Sequence, residues 1–235
     1  MKKTARTLIM MKMMIKRTLL LLFFSFLSLI AFPQDKDFGV WYGVSADTKL
    51  TGKIKIELST SVRTFEDASK IEEAFLQGGL KYKFNKYFSM AGSYRITENI
   101  EDDNSYYFRH KLFLDMNGSY SVGNFSFSGR VRLQELFKTY IEDENDKKPD
   151  SHGRVKLKTL YNIPSFPVNP YISAEIFCPV FNNPERTVDK ERFTGGIEYK
   201  ISKIHSFTLE YVFQRDYLPH LEDENIISVN YNINF

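Results

Sequence analysis

The stretch Asn225–Phe235, NIISVNYNINF, alternates strictly and ends on an aromatic residue. Ile227, Val229, Tyr231, Ile233 and Phe235 fall on one face of an extended strand, and Ser228, Asn230, Asn232 and Asn234 on the other. A half-buried strand of a soluble sandwich also alternates, but it seldom closes a chain with an exposed Phe. The apolar face of this stretch asks for a surrounding other than water.

Upstream the same period recurs. Of 235 residues, 15% are aromatic, with 21 Phe and 14 Tyr against one Trp, and aromatic and β-branched side chains favour the pleated surface of a sheet. From Asp37 onward no heptad, long helical stripe or second helix-length apolar run interrupts the pattern. Candidate strands are Phe38–Ala46, Lys53–Phe65, Phe75–Phe84, Tyr87–Thr97, Tyr106–Gly118, Asn124–Phe137, Arg154–Ile163, Tyr171–Val180, Arg192–Ile201, Phe207–Tyr217 and Asn225–Phe235. Most exceed the ~5–6 residues usual in globular strands and match the ~9–11 that a tilted strand needs to cross a bilayer.

The connections alternate as well. Asn85-Lys86, Ser121–Asn124, Pro164–Pro170 and Ser202–Ser206 are short, whereas the charged stretches EDASKIEEA, ENIEDDNS, KTYIEDENDKKPDSHG, FNNPERTVDKE and LPHLEDE lie between them. Short turns at one end and long polar loops at the other are the layout of an outer-membrane barrel, with periplasmic turns and extracellular loops. Eleven candidates conflict with the even strand number of bacterial single-chain barrels. With the ends assigned in this way, the first and last candidates run in the same direction and would be parallel neighbours. Three resolutions are open: one candidate is not a strand, a further strand exists, or Phe38–Ala46 stands outside the regular closure. The expected fold is all-β, a closed antiparallel transmembrane β-barrel of about ten to twelve strands. A periplasmic soluble β-sandwich is the alternative.

Both faces of each strand support closure. In FSFSGRVRLQ, Phe125, Phe127, Gly129, Val131 and Leu133 alternate with Ser126, Ser128, Arg130, Arg132 and Gln134. RVKLKTLYNI and ERFTGGIEYKI repeat the arrangement with charge at every second position. An Arg or Lys facing lipid at mid-depth costs roughly 2–4 kcal/mol, so the charged face must meet water or opposite charge. Closing the sheet turns that face into a lumen and removes the unpaired edges that lipid does not tolerate.

Arg130, Arg132, Arg154, Lys156, Glu175, Arg192, Glu198 and Glu210 are the candidate lumen charges, with His110 and Glu135 considered beside them. Guanidinium forks bind carboxylates bidentately and suit pairing across a lumen. One reading is that such pairs fill and brace a narrow barrel, and another is a charged constriction that selects a small solute. His110 shares parity with Leu112, Leu114 and Met116, which points it toward lipid near an interface.

The N-terminus differs from the rest. Lys12, Lys16 and Arg17 precede the apolar run TLLLLFFSFLSLIAF, and PQDKD follows. This reads as a secretory signal at 1–33, cleaved between Ala31 and Gln34, with the barrel domain at 34–235. The run is shorter than the roughly 20 residues a spanning helix needs. The net charge of +3 and the scattered basic residues give no nucleic-acid footprint. The single Cys178 can form no internal disulfide, and neither a metal site nor a cofactor is expected.

Enzymatic chemistry finds little support. A barrel-embedded lipid hydrolase would need a Ser–His pair within hydrogen-bond reach, and no serine motif accompanies His110, His152, His205 or His220. The acidic residues Asp102, Asp103, Glu142, Asp143, Glu144, Asp146, Glu222, Asp223 and Glu224 read as loop charge near lipopolysaccharide headgroups. A surface binding protein acting through these loops is the other alternative.

The order of several stretches resembles an uncharacterised outer-membrane family, domain of unknown function 2490. GVWYGVS at Gly39–Ser45, GGLKYKFNKYFSMAGSYRI at Gly78–Ile96, FRHKLFLD at Phe108–Asp115, GRVRLQE at Gly129–Glu135, GRVKLKTLYNIP at Gly153–Pro164, ISAEIF at Ile172–Phe177 and ERFTGGIEYKIS at Glu191–Ser202 carry the resemblance. Lys111 departs from it, since Arg is expected after the histidine. The resemblance implies an outer-membrane barrel and names no role. The terminal residues Tyr231, Ile233 and Phe235 resemble the signal read by the barrel-assembly machinery of Gram-negative outer membranes. The expected protein is thus a monomeric barrel in contact with outer-membrane lipid and lipopolysaccharide. It is a narrow pore for a small solute or a structural barrel, with a charge-paired lumen.

Overall fold

The computed structural model describes residues 37–100, 105–138, 140, 149–180, 188–217 and 221–235. The expected signal segment, its cleavage region, the acidic residues Asp102, Asp103, Glu142, Asp143, Glu144 and Asp146, and His220 lie outside the described residues.

Among the described residues eleven strands follow in chain order: β1 (Asp37–Lys49), β2 (Ile54–Phe65), β3 (Lys70–Lys83), β4 (Phe88–Ile100), β5 (Tyr106–Val122), β6 (Phe125–Lys138), β7 (Asp150–Tyr161), β8 (Val168–Pro179), β9 (Lys190–Lys200), β10 (His205–Asp216) and β11 (Glu222–Asn234). They run from 11 to 17 residues, and every candidate strand has its counterpart. Each pairs antiparallel with its sequence neighbours, and β1 pairs with β11 to close the barrel.

That last pairing is parallel, from Asp37↔Glu224 to Asp47↔Asn234. The antiparallel expectation therefore fails at one seam, and none of the three anticipated resolutions applies. An odd number of alternating strands makes the first and last run the same way. Their groups pair nonetheless, and the bond from the Phe235 N–H to the Asp47 carbonyl (2.9 Å) extends the ladder, so no edge is left open. Facing parity survives the seam: Tyr42 meets Val229 on the outside, and Gly43 meets Asn230 on the inside. A Cβ at Gly43 would displace the Asn230 amide, 1.9 Å away, whereas one at Gly39 would stand 2.5 Å from the Thr64 backbone carbonyl oxygen, which cannot swing aside.

Local chemistry sets the turns. Gly123, at φ +56°, reverses the chain between β5 and β6. Between β2 and β3 the expected nine-residue charged loop is much shorter, since β3 already begins at Lys70. Glu66, Asp67 and Ala68 adopt positive φ there, and the Asp37 carboxylate accepts the N–H groups of Glu66 and Asp67 at 3.0 and 3.1 Å. A register shift between Arg63 and Thr64 sets the adjacent pair Glu72-Glu73 out of simple alternation, which hid the start of β3.

Burial is inverted relative to a soluble protein. On the outside, Leu157 is 64% and Ile172 69% exposed, while the inward-facing Glu73 and Glu175 are 4% and 3% exposed. Tyr82, Phe84, Phe88, Tyr87, Tyr120 and Phe125 cluster on the outer wall at the turn end, Phe84 and Phe88 with ring centroids 5.4 Å apart. Outward-facing charges on the strands, Glu98, Glu135, Glu191, Arg215 and Asp223, occur toward the loop end. Between these limits the outer face carries apolar side chains, as from Phe125 to Leu133 on β6 and from Phe193 to Ile201 on and just after β9.

Candidate functional site

Inward positions of neighbouring strands bring charged side chains to the same depth, and three carboxylates organise them. Glu73 on β3 accepts a hydrogen bond from Lys111 of β5 at 3.1 Å and forms ion pairs with Arg63 of β2 at 2.7 Å and the more distant Arg95 of β4 at 3.7 Å. Arg95 also donates to the Gln77 Oε1 at 3.0 and 2.8 Å, and its guanidinium lies 3.5 Å from the Phe75 ring centroid. Asp115 on β5 takes a two-pronged bond from Arg132 of β6, both contacts at 2.6 Å. Such fork-to-fork geometry combines charge with fixed orientation.

Glu175 on β8 gathers the third group. Arg130 reaches it at 2.7 Å, Arg154 at 2.9 Å and Arg192 at 3.9 Å. Arg192 also donates to the Gln214 side chain, whose Nε2 donates to Asp216 at 2.8 Å and Glu224 at 2.9 Å. Trp41 of β1 joins the first and third groups, with Arg63 and Arg192 at 4.2 and 4.8 Å from its ring. Phe113 and Phe177 stack similarly against Arg132 and Arg154. Arginine suits this work because its planar, weakly hydrated cation accepts an aromatic face and a carboxylate together.

The result is a filled layer. Glu73, Thr97, Asp115, Arg132, Glu175, Gln214, Ser228 and Ile226 are all buried although they come from strands all around the wall. Buried charges are tolerable only when paired, and here each carboxylate meets at least one guanidinium. Toward the turn end the pairing is looser. Lys158 meets Glu198 at 2.7 Å, Lys81 meets Glu57 at 2.9 Å, Lys55 meets Asp47, and the Tyr171 hydroxyl donates to Glu210.

The candidate lumen charges therefore divide. Arg130, Arg132, Arg154, Glu175 and Arg192 meet in the layer, whereas Glu198 and Glu210 belong to the turn-side half. Lys156 stands opposite Glu175 in the β7–β8 register and forms no ion pair among the described residues. Glu135 is exposed on the outer wall, in line with Val131 and Leu133, so it does not join the lumen set. Trp41, Arg63, Glu73, Arg95, Lys111 and Asp115 were not among the expected site residues. Strand parity would have placed Arg95 and Asp115 inside, but the bulge beside Arg63 obscured Glu73.

The histidines have partners of other kinds. His110 faces outward, its Nδ1 2.5 Å from the Tyr94 hydroxyl, and His205 sits on the outer wall 2.8 Å from the Tyr231 hydroxyl. His152, expected in a loop, lies in β7 and meets Asp189 at 2.9 Å. In none of these pairs is serine the partner. Among the described residues, no group of three or more His, Cys, Asp or Glu side chains is placed to hold a metal ion.

Residues 38–225 match a family described as "Protein of unknown function (DUF2490)". Among solved structures the chain is similar to the NanC porin in a rhombohedral crystal form, at 11% identity over 75% of this chain and 86% of that one, with a TM-score of 0.47. It is similar to the β domain of the Bordetella autotransporter Brka at 11% identity over 74% of this chain and 81% of that one, with a TM-score of 0.46. No curated protein matches the sequence.

Proposed function

Starting from the premise that this chain belongs to the DUF2490 family of proteins of unknown function, we propose that it is an outer-membrane β-barrel whose lumen is closed by a layer of paired charges. Its role on this reading is that of a structural barrel, not an open channel. The observation that carries the proposal is the set of buried Glu73, Asp115 and Glu175 groups, the first and third bridged through Trp41, at one depth of the lumen. Membrane embedding rests on the inverted burial and on an outer apolar stretch that suits the ~9–11 residues of a tilted spanning strand.

The rest of the reading follows from that orientation. The turn end faces the periplasm and the loop end faces outward, toward lipopolysaccharide, with a monomer delivered by a cleaved signal. Tyr231, Ile233 and Phe235 serve as the signal for the assembly machinery. A narrow pore for a small solute is the second reading. It is favoured by the make-up of the layer, which consists of side chains that can change rotamer and not of an inserted loop or helix among the described residues. A barrel hydrolase and a binding protein acting through the loops have no comparable support.

Single-channel recording in planar bilayers tests the proposal. Wild type is expected to be silent, and a variant with Arg130, Arg132 and Arg154 replaced by Ser is expected to conduct in discrete steps. Steady conductance from folded wild type would contradict the closed-barrel reading and favour the pore.

A further inference from the structure

Below the charged layer the lumen widens into a cavity of about 760 Å³ at the turn end, bounded by the inner faces of β1 to β7 and their connections. Its lining is one-sided in charge. Lys49, Lys53, Lys83, Lys86 and Lys156 line it, as does Arg130, which is paired with Glu175. No Asp or Glu lines it among the described residues. Lys55, Lys81 and Lys158 on the same wall are matched by Asp47, Glu57 and Glu198, whereas Lys49, Lys53, Lys83 and Lys156 have no carboxylate within ion-pair distance among the described residues. Ser89, Asn117 and Ser128 add short hydrogen-bonding side chains between the cations.

Lys49, Lys53 and Lys83 are solvent-exposed and partly screened, but like charges gathered around one recess still repel, the low-dielectric wall of a barrel focuses their field into it, and a bound anion relieves that repulsion. The volume falls within the ~300–1,000 Å³ of small-molecule sites. Lysines on flexible stems act as movable point charges and do not impose a single planar geometry, which suits a ligand with several anionic groups. We propose that this basin binds a soluble multivalent anion bearing phosphate or carboxylate groups. The opposite wall of the turn-side lumen carries Asp47, Glu198, Glu210 and the amides of Asn230 and Asn232, so such a ligand is held toward β2–β7. The site requires the barrel but not the closure of the layer above it.

Titration calorimetry on the refolded full chain in uncharged, zwitterionic micelles tests this, with pyrophosphate and citrate as separate probes. The account expects saturable binding that weakens steeply as salt is added. A Lys53→Ser/Lys83→Ser/Lys156→Ser variant is expected to bind about tenfold more weakly or worse. A Lys200→Ser/Lys203→Ser control, altered at the same end but outside the basin, is expected to keep wild-type affinity. Heat-modifiable gel migration checks that each protein is folded, and Lys83→Ser and Lys156→Ser singly, each expected to weaken binding, serve if the triple variant is not. Absence of saturable binding to folded wild type, or equal binding by all variants, would overturn the proposal. So would binding that appears only when anionic phospholipid is added to the micelles, since the ligand would then be a lipid headgroup. Because binding is read without a bilayer, its outcome is independent of the conductance that tests the closed lumen.

Discussion

At the scale of single residues, the strongest commitments are buried charges that have nowhere else to go. Asp115→Ala leaves Arg132 with no carboxylate and is expected to lower stability by about 3–5 kcal/mol, whereas Asp115→Leu with Arg132→Met is expected to fall much closer to wild type. Denaturant unfolding of the refolded barrel separates the two cases. Tyr171 makes a second such point. Its ring lies over Gly196, where a Cβ would stand 2.8 Å from the ring, and its hydroxyl reaches Glu210. Gly196→Ala is expected to cost about 1–3 kcal/mol by displacing the ring, and the same unfolding curve measures it. Parity alone was enough to place Arg130, Arg132, Arg154 and Glu175 inside. It could not show that Trp41 links two clusters, because a lone aromatic residue at an inward position carries no periodic signal. Glu135, considered beside the lumen charges, shares the parity of Leu133 and lies on the outer wall beyond the end of the apolar stretch.

At the scale of strands, alternation made all eleven elements legible, with errors confined to their ends. The β2–β3 hairpin departs from the expected loop because a bulge and three positive-φ residues close it more tightly. The parallel seam was legible as a conflict in strand direction and not as a solution, since strand directions from sequence do not say whether first and last strands hydrogen-bond. Paired cysteines test it in a Cys178→Ser background. Under the parallel register Tyr42Cys with Val229Cys and Ala46Cys with Ile233Cys are both expected to cross-link, because the two positions rise together. An antiparallel seam through Tyr42 and Val229 would join Ala46Cys to Asn225Cys instead, and mobility on a non-reducing gel distinguishes them. Deleting Phe235 tests the proposed assembly signal in β11. Removal is expected to reduce assembly in cells severalfold while refolding in detergent persists, since in the barrel its backbone contributes one bond to Asp47. Equal loss in both settings would mean that the residue matters only for the seam.

At the scale of the whole molecule, the barrel shows an inside-out distribution of side chains. The sequence pattern carried the two faces, but not whether the lumen would be open. That depends on how far long side chains reach across an eleven-stranded barrel, and on contacts among strands distant in sequence, such as Trp41 of β1 with Arg192 of β9. A charge placed on the outer face is expected to be costly in proportion to depth: Leu157→Arg should destabilise the folded barrel in lipid by about 2–4 kcal/mol, while Thr159→Arg, nearer the turn end, should cost less. Urea titration in vesicles reads the difference.

The most direct test of the central claim is a single-cysteine fluorescence scan of β7 in lipid vesicles, again in a Cys178→Ser background, with labels at 155, 156, 157 and 158. The account predicts that brominated lipid quenches labels at Val155 and Leu157, and that aqueous iodide, not brominated lipid, reaches those at Lys156 and Lys158 from the turn-side lumen. Labels at Val155 and Leu157 quenched by iodide and untouched by brominated lipid would contradict it, because the apolar face would then meet water and the chain would not be a membrane barrel.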